Sequence, residues 1–469
     1  MQSENTKIVC TIGPASSSKK TLRQLIRAGM DVARLNFSHG SHKGHKGVIR
    51  SVRRLSTELD KPVAILQDLQ GPKIRTGELK EGRVELKKNQ EWTITTRRIK
   101  GGQGLISTTY RGIVSDLKRG DAILIDDGMI ELKVLSKDKE QLYCKVISGG
   151  ILGEHKGINL PGVRTRIPSL TKKDKEDLKV GIEAGVDYVA ISFVRSAKDV
   201  RALKRFLKNK KVDIPVIAKI EKPQALDELE GILDVCEGIM VARGDLGVEL
   251  SPEKVPVAQK KMIRMANEKR KLVITATQML ESMTEHPRPT RAETSDVANA
   301  ILDGTDAVML SAETSVGNYP VESVRMMRKI ARETETNFPT KPLYDRRPSN
   351  FPDVISEAAC LAADDLGLKA IVAFSQSGFT AGLISKYRPP VPIIACTPDV
   401  EVQRRLALYW GVNARVVPHL VGTDKMIETV EDLLLKERLA KKGDRIAILG
   451  GTPLATRGKT NMMKLHVVK

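Results

Sequence analysis

The chain has 469 residues, of which 41% are hydrophobic and 29% charged, enough apolar material for one large core or about two to four domains. This excludes a small scaffold that depends on metal or disulfide staples. Lys and Arg number 78 against 57 Asp and Glu, and the resulting net charge of +21 favours anionic ligands such as phosphorylated metabolites. The basic residues are scattered and aromatics reach only 3%, which argues against specific nucleic-acid binding through a stacking platform or zinc finger.

Cys10, Cys144, Cys236, Cys360 and Cys396 are widely spread, unlike a disulfide framework or a paired metal motif. No apolar run approaches the roughly 18 residues of a membrane span, and the first residues lack a basic segment followed by an apolar core. The expected location is the cytoplasm, with no membrane partner.

In chain order, short β-branched runs begin at KIVCTI near residue 7, VARLNF near 32 and VAILQD near 63, with helical patterns between them. The pattern breaks and then resumes with DYVAIS at 187, VIAKI at 216, GIMVAR at 238, LVITAT at 272 and AVMLSA at 307. These eight candidate strands fit a closed parallel β/α barrel, with an open sheet as the alternative. Helix starts are signalled by Ser17 and Ser18, by Thr171, and by Thr290 with Glu293 at the third position. Gly29 and Gly181 are expected to end two helices.

The expected fold is a TIM (β/α)8 barrel carrying an inserted β-rich lid domain and a C-terminal α/β domain. Its parts are residues 1–70 and 169–340 for the barrel, 71–168 for the lid and 341–469 for the last domain. The insertion is rich in short alternating runs such as RVELK, AILID and ELKVL, which read as antiparallel strands. Leaving the barrel after its third strand, it would emerge at the C-terminal face as a hinged cover. A proline-rich, charged stretch at 339–352 reads as a linker, followed by strands AIVAF, PIIAC, ARVVP, RIAIL and KLHVV.

Candidate reactive residues cluster at the ends of the barrel runs, where such folds carry their chemistry. Arg34, Asn36 and Ser38 follow one run, Asp68 the next, Lys219 and Glu221 end VIAKIE, Asp245 follows GIMVAR, and Thr277 follows LVITAT. Glu221 and Asp245 offer hard oxygens to Mg²⁺ or Mn²⁺, and no histidine cluster favours zinc. Lys219 and Arg34 are suited to an oxyanion or a phosphoryl oxygen. Each residue also has an ordinary structural reading: Glu221 pairs with Lys219 or Lys222, Asp245 caps the next helix, Asp68 pairs with Arg75, and Lys156 is a solubilising surface charge.

ARLNFSHG at 33–40, QGPKIRTG at 70–77, AKIEKPQAL at 218–226, MVARGDLGVEL at 240–250 and TATQMLESM at 275–283 strongly resemble pyruvate kinase, and the similarity runs through essentially the whole chain. The resemblance implies phosphoryl transfer from phosphoenolpyruvate to ADP, giving pyruvate and ATP, in a cytoplasmic homotetramer. It assigns Arg34 to the substrate phosphate, Lys219 to the transferring group, and Glu221 and Asp245 to Mg²⁺. Gly244 and Asp245 backbone N–H groups face the substrate carboxylate, and Thr277 lies near that carboxylate and the water-mediated proton path.

By the same resemblance Asn36, Ser38 and Asp68 form the monovalent-cation region, while Asn36, His39, Arg75 and Lys156 face the nucleotide or its lid. Leu69 and Lys73 depart from the threonine and glutamate common in potassium-dependent relatives, so K⁺ is expected to be dispensable, with the Lys73 ammonium supplying the charge. AFSQSGFTAGLISKYRP resembles the family's effector loop, with Ser375, Ser377, Gly378 and Thr380 meeting a sugar phosphate. Gln376 and Phe379 depart from its hydroxyl-rich form. Two other functions compete: a metal-dependent barrel lyase or aldolase acting on pyruvate-like acids, and a noncatalytic phosphometabolite-binding regulator.

Overall fold

A computed structural model describes residues 5–338, 350–419, 422–451 and 460–469. Eight parallel strands close into a barrel: β1 (Lys7–Thr11), β2 (Val32–Asn36), β3 (Ala64–Asp68), β4 (Tyr188–Ile191), β5 (Val216–Ile220), β6 (Gly238–Ala242), β7 (Leu272–Ala276) and β8 (Ala307–Leu310). β8 returns to β1 in the register Lys7 to Ala307, so no edge is left exposed. Both faces of every strand are covered, which is why they read as unbroken apolar runs. The open-sheet alternative is thereby set aside.

The helix Lys19–Ala28 starts at Ser18, whose hydroxyl accepts from the Thr21 N–H, and stops at Gly29. Thr171 and Thr290 each form a capping box, with Asp174 and Glu293 respectively. Gly181 does not end a helix. It lies inside Lys172–Ala184, where a Cβ would sit 1.9 Å from Gln67 Oε1, and Gly185 is the left-handed residue that stops that helix. The glycine at 181 serves close packing of helix on β3.

Between β3 and β4 the chain builds a six-stranded sheet and a two-stranded ribbon around a separate core that includes Trp92, Ile94, Leu132 and Val146. The pairing is antiparallel as expected except for Glu91–Thr95 against Leu105–Ser107, which is parallel. The last part is a five-stranded sheet: β9 (Ala370–Phe374), β10 (Ile393–Thr397), β11 (Val412–Val416), β12 (Arg445–Gly450) and β13 (Met462–Val467). Its order is β11-β10-β9-β12-β13, and only β13 runs antiparallel. Residues 339–349 of the expected linker lie outside the described residues, and Asn350 already caps the helix Phe351–Asp365.

The run EVQRRLALYWG reads as one helix, yet the helix is Val400–Leu406 and the chain then departs. Ala407 and Leu408 enter the foot of the barrel, packing with Leu66, Tyr188, Ile217 and Leu272. The Tyr188 hydroxyl donates to the Arg405 carbonyl at 2.7 Å. Nearby, Asp306 is shared by Lys386 and Arg388 of the last domain, with all three side chains buried. The last domain therefore covers the foot of the barrel.

Candidate active site

The strand ends bring Arg34, Asp68, Lys219 and Glu221 together at the C-terminal mouth. Arg34 donates through Nε to Asp68 Oδ2 at 2.8 Å and through Nη1 to the Thr11 hydroxyl at 2.8 Å. Lys219 Nζ stands 2.8 Å from Glu221 Oε1 and 3.4 Å from Asp68 Oδ1, and donates to Ser192 Oγ at 2.9 Å. Glu221 Oε2 accepts from the Phe193 N–H at 2.6 Å. Asp68 thus pairs with Arg34 and Lys219, not with Arg75.

Two buried oxygens, Glu221 Oε1 and Asp68 Oδ1, face the Lys219 ammonium as ion pairs at 2.8 and 3.4 Å and accept no further hydrogen bond. Buried carboxylate oxygens in this state favour a cation. Asp245, in the first turn of Arg243–Glu249, does not cap that helix, whose N-cap is Ala242. Burial, and then the Asp245 carboxylate, raise the pKa of Glu221 against the pull of Lys219. Burial alone would lower Lys219, but Asp68 and Glu221 outweigh it and hold its pKa above the usual lysine value.

Among the described residues no group of three His, Cys, Asp or Glu side chains could hold a metal unaided. The Glu221 and Asp245 oxygens nevertheless suit a hard divalent ion that keeps waters and takes substrate oxygens as its remaining ligands. Thr277 meets the start of the helix Arg243–Glu249 that carries Asp245. Its hydroxyl accepts from the Gly244 N–H at 2.8 Å and donates to the Ala276 carbonyl at 2.6 Å.

Asn36 Oδ1 accepts from the Ser38 N–H at 3.1 Å. Leu69 is buried in the barrel–helix core and offers only its carbonyl, which accepts from Ser192 Oγ at 2.7 Å. Lys73 is exposed at the rim. His39 is exposed too, and its pKa is lowered by partial burial and then by Arg75, Lys73, Arg34 and Lys173. This rim is a zone of concentrated positive charge. Arg75 reaches the His155 carbonyl at 2.8 Å, while Lys156 pairs with Asp126 at 3.0 Å, so the Lys156 side chain is held within the lid base and not left as a free surface charge.

The cleft between lid and barrel, lined by Lys73, Gly157, Phe193, Lys222 and Asp245 among others, has a volume of about 40 Å³. Small-molecule sites typically occupy several hundred Å³. In the last domain Ser375 and Thr380 are buried, the Thr380 hydroxyl is engaged with that of Thr460 at 2.7 Å, Ser377 is exposed, and Gly378 takes φ +83 ahead of the helix Phe379–Lys386.

Sequence reasoning missed Ser192, which links Lys219 to the Leu69 carbonyl, and Arg243, whose guanidinium reaches the Thr277 and Gln278 carbonyls. It also missed Glu249, which binds Lys222 and accepts from Asn159 of the lid at 3.1 Å. FVRS and VARGD each continue a strand run into polar residues, and that junction was the available signal.

Residues 3–324 match the family described as pyruvate kinase, barrel domain, and residues 353–466 match pyruvate kinase, alpha/beta domain. The pyruvate kinases of Staphylococcus aureus strains MRSA252 and USA300 are each 47% identical over 469 residues, covering 99% of this chain and 80% of theirs. The crystal structure of a pyruvate kinase from Cryptosporidium parvum superposes with a TM-score of 0.93 at 37% identity, covering 99% of this chain and 96% of that one. Matched along both its barrel and its last domain, this chain belongs to the pyruvate kinase family, which uses a divalent cation, and its reaction is phosphoryl transfer from phosphoenolpyruvate to ADP, yielding pyruvate and ATP.

Proposed function

We propose that the cluster at the strand ends is the transfer site and that Glu221 and Asp245 hold Mg²⁺, with Mn²⁺ as a substitute. The observation that carries this reading is the convergence of the buried Glu221 and Asp68 carboxylates on the Lys219 ammonium, at 2.8 and 3.4 Å, with the Asp245 carboxylate close enough to act on Glu221. When bound, the ion neutralises phosphate oxygens. Arg34 clamps the substrate phosphate, Lys219 stabilises charge on the transferring group, and the Asp245 N–H holds the carboxylate together with the Gly244 N–H, which the Thr277 hydroxyl engages until substrate takes its place. Thr277 orients the water that delivers the proton to the product. The lid, carrying Lys156 and reached through Arg75, excludes water once ADP is seated.

The reading divides the chain at 70/71, 168/169 and 340/341, places it in the cytoplasm as a homotetramer, and gives the nucleotide Asn36, His39, Arg75 and Lys156. Asn36, Ser38 and Asp68 border the monovalent-cation region, where the apolar Leu69 side chain provides no oxygen and Lys73 adds a cation at the rim. Turnover is accordingly independent of K⁺. Ser375, Ser377, Gly378 and Thr380 are the effector loop for a sugar phosphate, with Ser377 the hydroxyl open to it.

The test is a purified-protein assay that measures pyruvate and ATP together from phosphoenolpyruvate and ADP, with Mg²⁺ and K⁺ varied separately. Equal yields of both products that require Mg²⁺ and not K⁺ are expected. Carbon–carbon cleavage without ADP phosphorylation would instead support the lyase, and ligand binding without turnover would support the noncatalytic regulator.

A further inference from the structure

Thr277 and Gln278 follow β7 with φ of +69 and +53. Neither is glycine, and for a β-branched threonine this conformation is an outlier. Left-handed residues of this kind cost about 1–3 kcal/mol each and persist only where neighbours enforce them. The neighbour here is Arg243, the first residue after β6, whose side chain is almost fully buried.

Its Nη2 donates to the Thr277 carbonyl at 2.7 Å, to the Gln278 carbonyl at 3.0 Å and to Met279 Sδ at 2.8 Å. Nε adds a bond to the Thr277 carbonyl at 3.2 Å, and Nη1 is anchored from the far side by Asp296 Oδ2 at 2.6 Å. One planar fork therefore takes both carbonyls of the left-handed turn. In the same turn the Thr277 hydroxyl meets the Gly244 N–H. Gly244 directly follows Arg243, so one short segment holds the turn at both its carbonyls and its hydroxyl.

We propose that Arg243 is a positioning residue of the transfer site, holding the Thr277–Gln278 turn in the left-handed form that presents the Thr277 hydroxyl. This rests on the reading of Thr277 as a substrate-facing residue. A lysine at 243 carries the charge but cannot reach both carbonyls and Asp296 with one ammonium.

A double-mutant cycle in the full chain separates this role from general support of the fold. Arg243→Ala should lower kcat by about a hundredfold, the scale of an ångström misplacement, with KM for ADP within about twofold. Arg243→Lys should recover less than about a tenth of the lost rate. In a Thr277→Ala background the Arg243→Ala change should cost less than about threefold.

An unchanged kcat in Thr277→Ala alone overturns the reading of Thr277. A lowered kcat in Thr277→Ala, combined with an equal Arg243→Ala penalty in both backgrounds, overturns the positioning role alone. Should Arg243→Ala not fold, Asp296→Ala, which removes the acceptor that anchors the guanidinium, is put through the same cycle against Thr277→Ala and read by the same criteria.

Discussion

Replacing Lys219 with Met keeps the length of the side chain and removes its charge. The ammonium lies 2.8 Å from Glu221, 3.4 Å from Asp68 and 2.9 Å from Ser192 Oγ, so three acceptors lose it at once. Breaking a buried ion pair by deleting one partner costs about 3–5 kcal/mol. The lower end applies, since Arg34 still holds Asp68 at 2.6 Å and Phe193 still donates to Glu221. In the reaction the same deletion withdraws one preorganised donor from the transferring phosphoryl group, a loss of about 100- to 1000-fold in kcat. Pyruvate and ATP should therefore fall together by that factor at saturating substrates, while circular dichroism reports an intact fold with a reduced melting temperature. A folded Lys219→Met variant with kcat within about tenfold of the parent would refute the reasoning, because the ammonium would then be structural.

Lys73→Glu combined with Leu69→Thr should make turnover depend on K⁺, read as the rate ratio between K⁺ and a non-activating cation at constant ionic strength. An unchanged ratio would remove Lys73 from the cation region. Leu408→Ala should lower stability by about 2–5 kcal/mol, measured by urea unfolding, because its side chain is wholly enclosed at the barrel foot. Lys386 is pushed down to about 8 by burial, with Asp306 opposing and Arg388 reinforcing the shift. A base whose folded pKa lies below its unfolded value of about 10.4 penalises folding below pH 8 and loses that penalty as pH rises toward 10.4. Parent stability relative to Lys386→Met should consequently improve by about 3 kcal/mol between pH 7 and 10.4, and a flat difference would contradict the shift.

The barrel strands were legible because two-sided burial demands unbroken aliphatic runs, and Lys219 stood out as a charge set inside one of them. Its partners at Arg34, Asp68 and Glu221 could be grouped because strand ends of a parallel barrel share one mouth. Ser192 and Arg243 were not legible, since a serine or arginine after a strand gains meaning only from which carbonyl it reaches. Gly181 was misread because glycine signals a helix stop locally, whereas its missing Cβ here makes room for Gln67. Leu408 continues a helical pattern that the barrel interior overrides.

The last domain is fastened to the same strands that carry the site. Asp306 accepts from the Val273 N–H at 2.8 Å, at the start of β7, while holding Lys386 at the end of the helix Phe379–Lys386. The other end of that helix is capped by Gly378 of the proposed effector loop, and the other end of β7 leads into Thr277. Loop, helix, buried ion pair and strand thus form one contiguous packed path between the two regions. Leu408 and the Asp306 group make this attachment at the foot of the barrel, where the strands begin. The charged residues converge at the opposite end, where the strands finish.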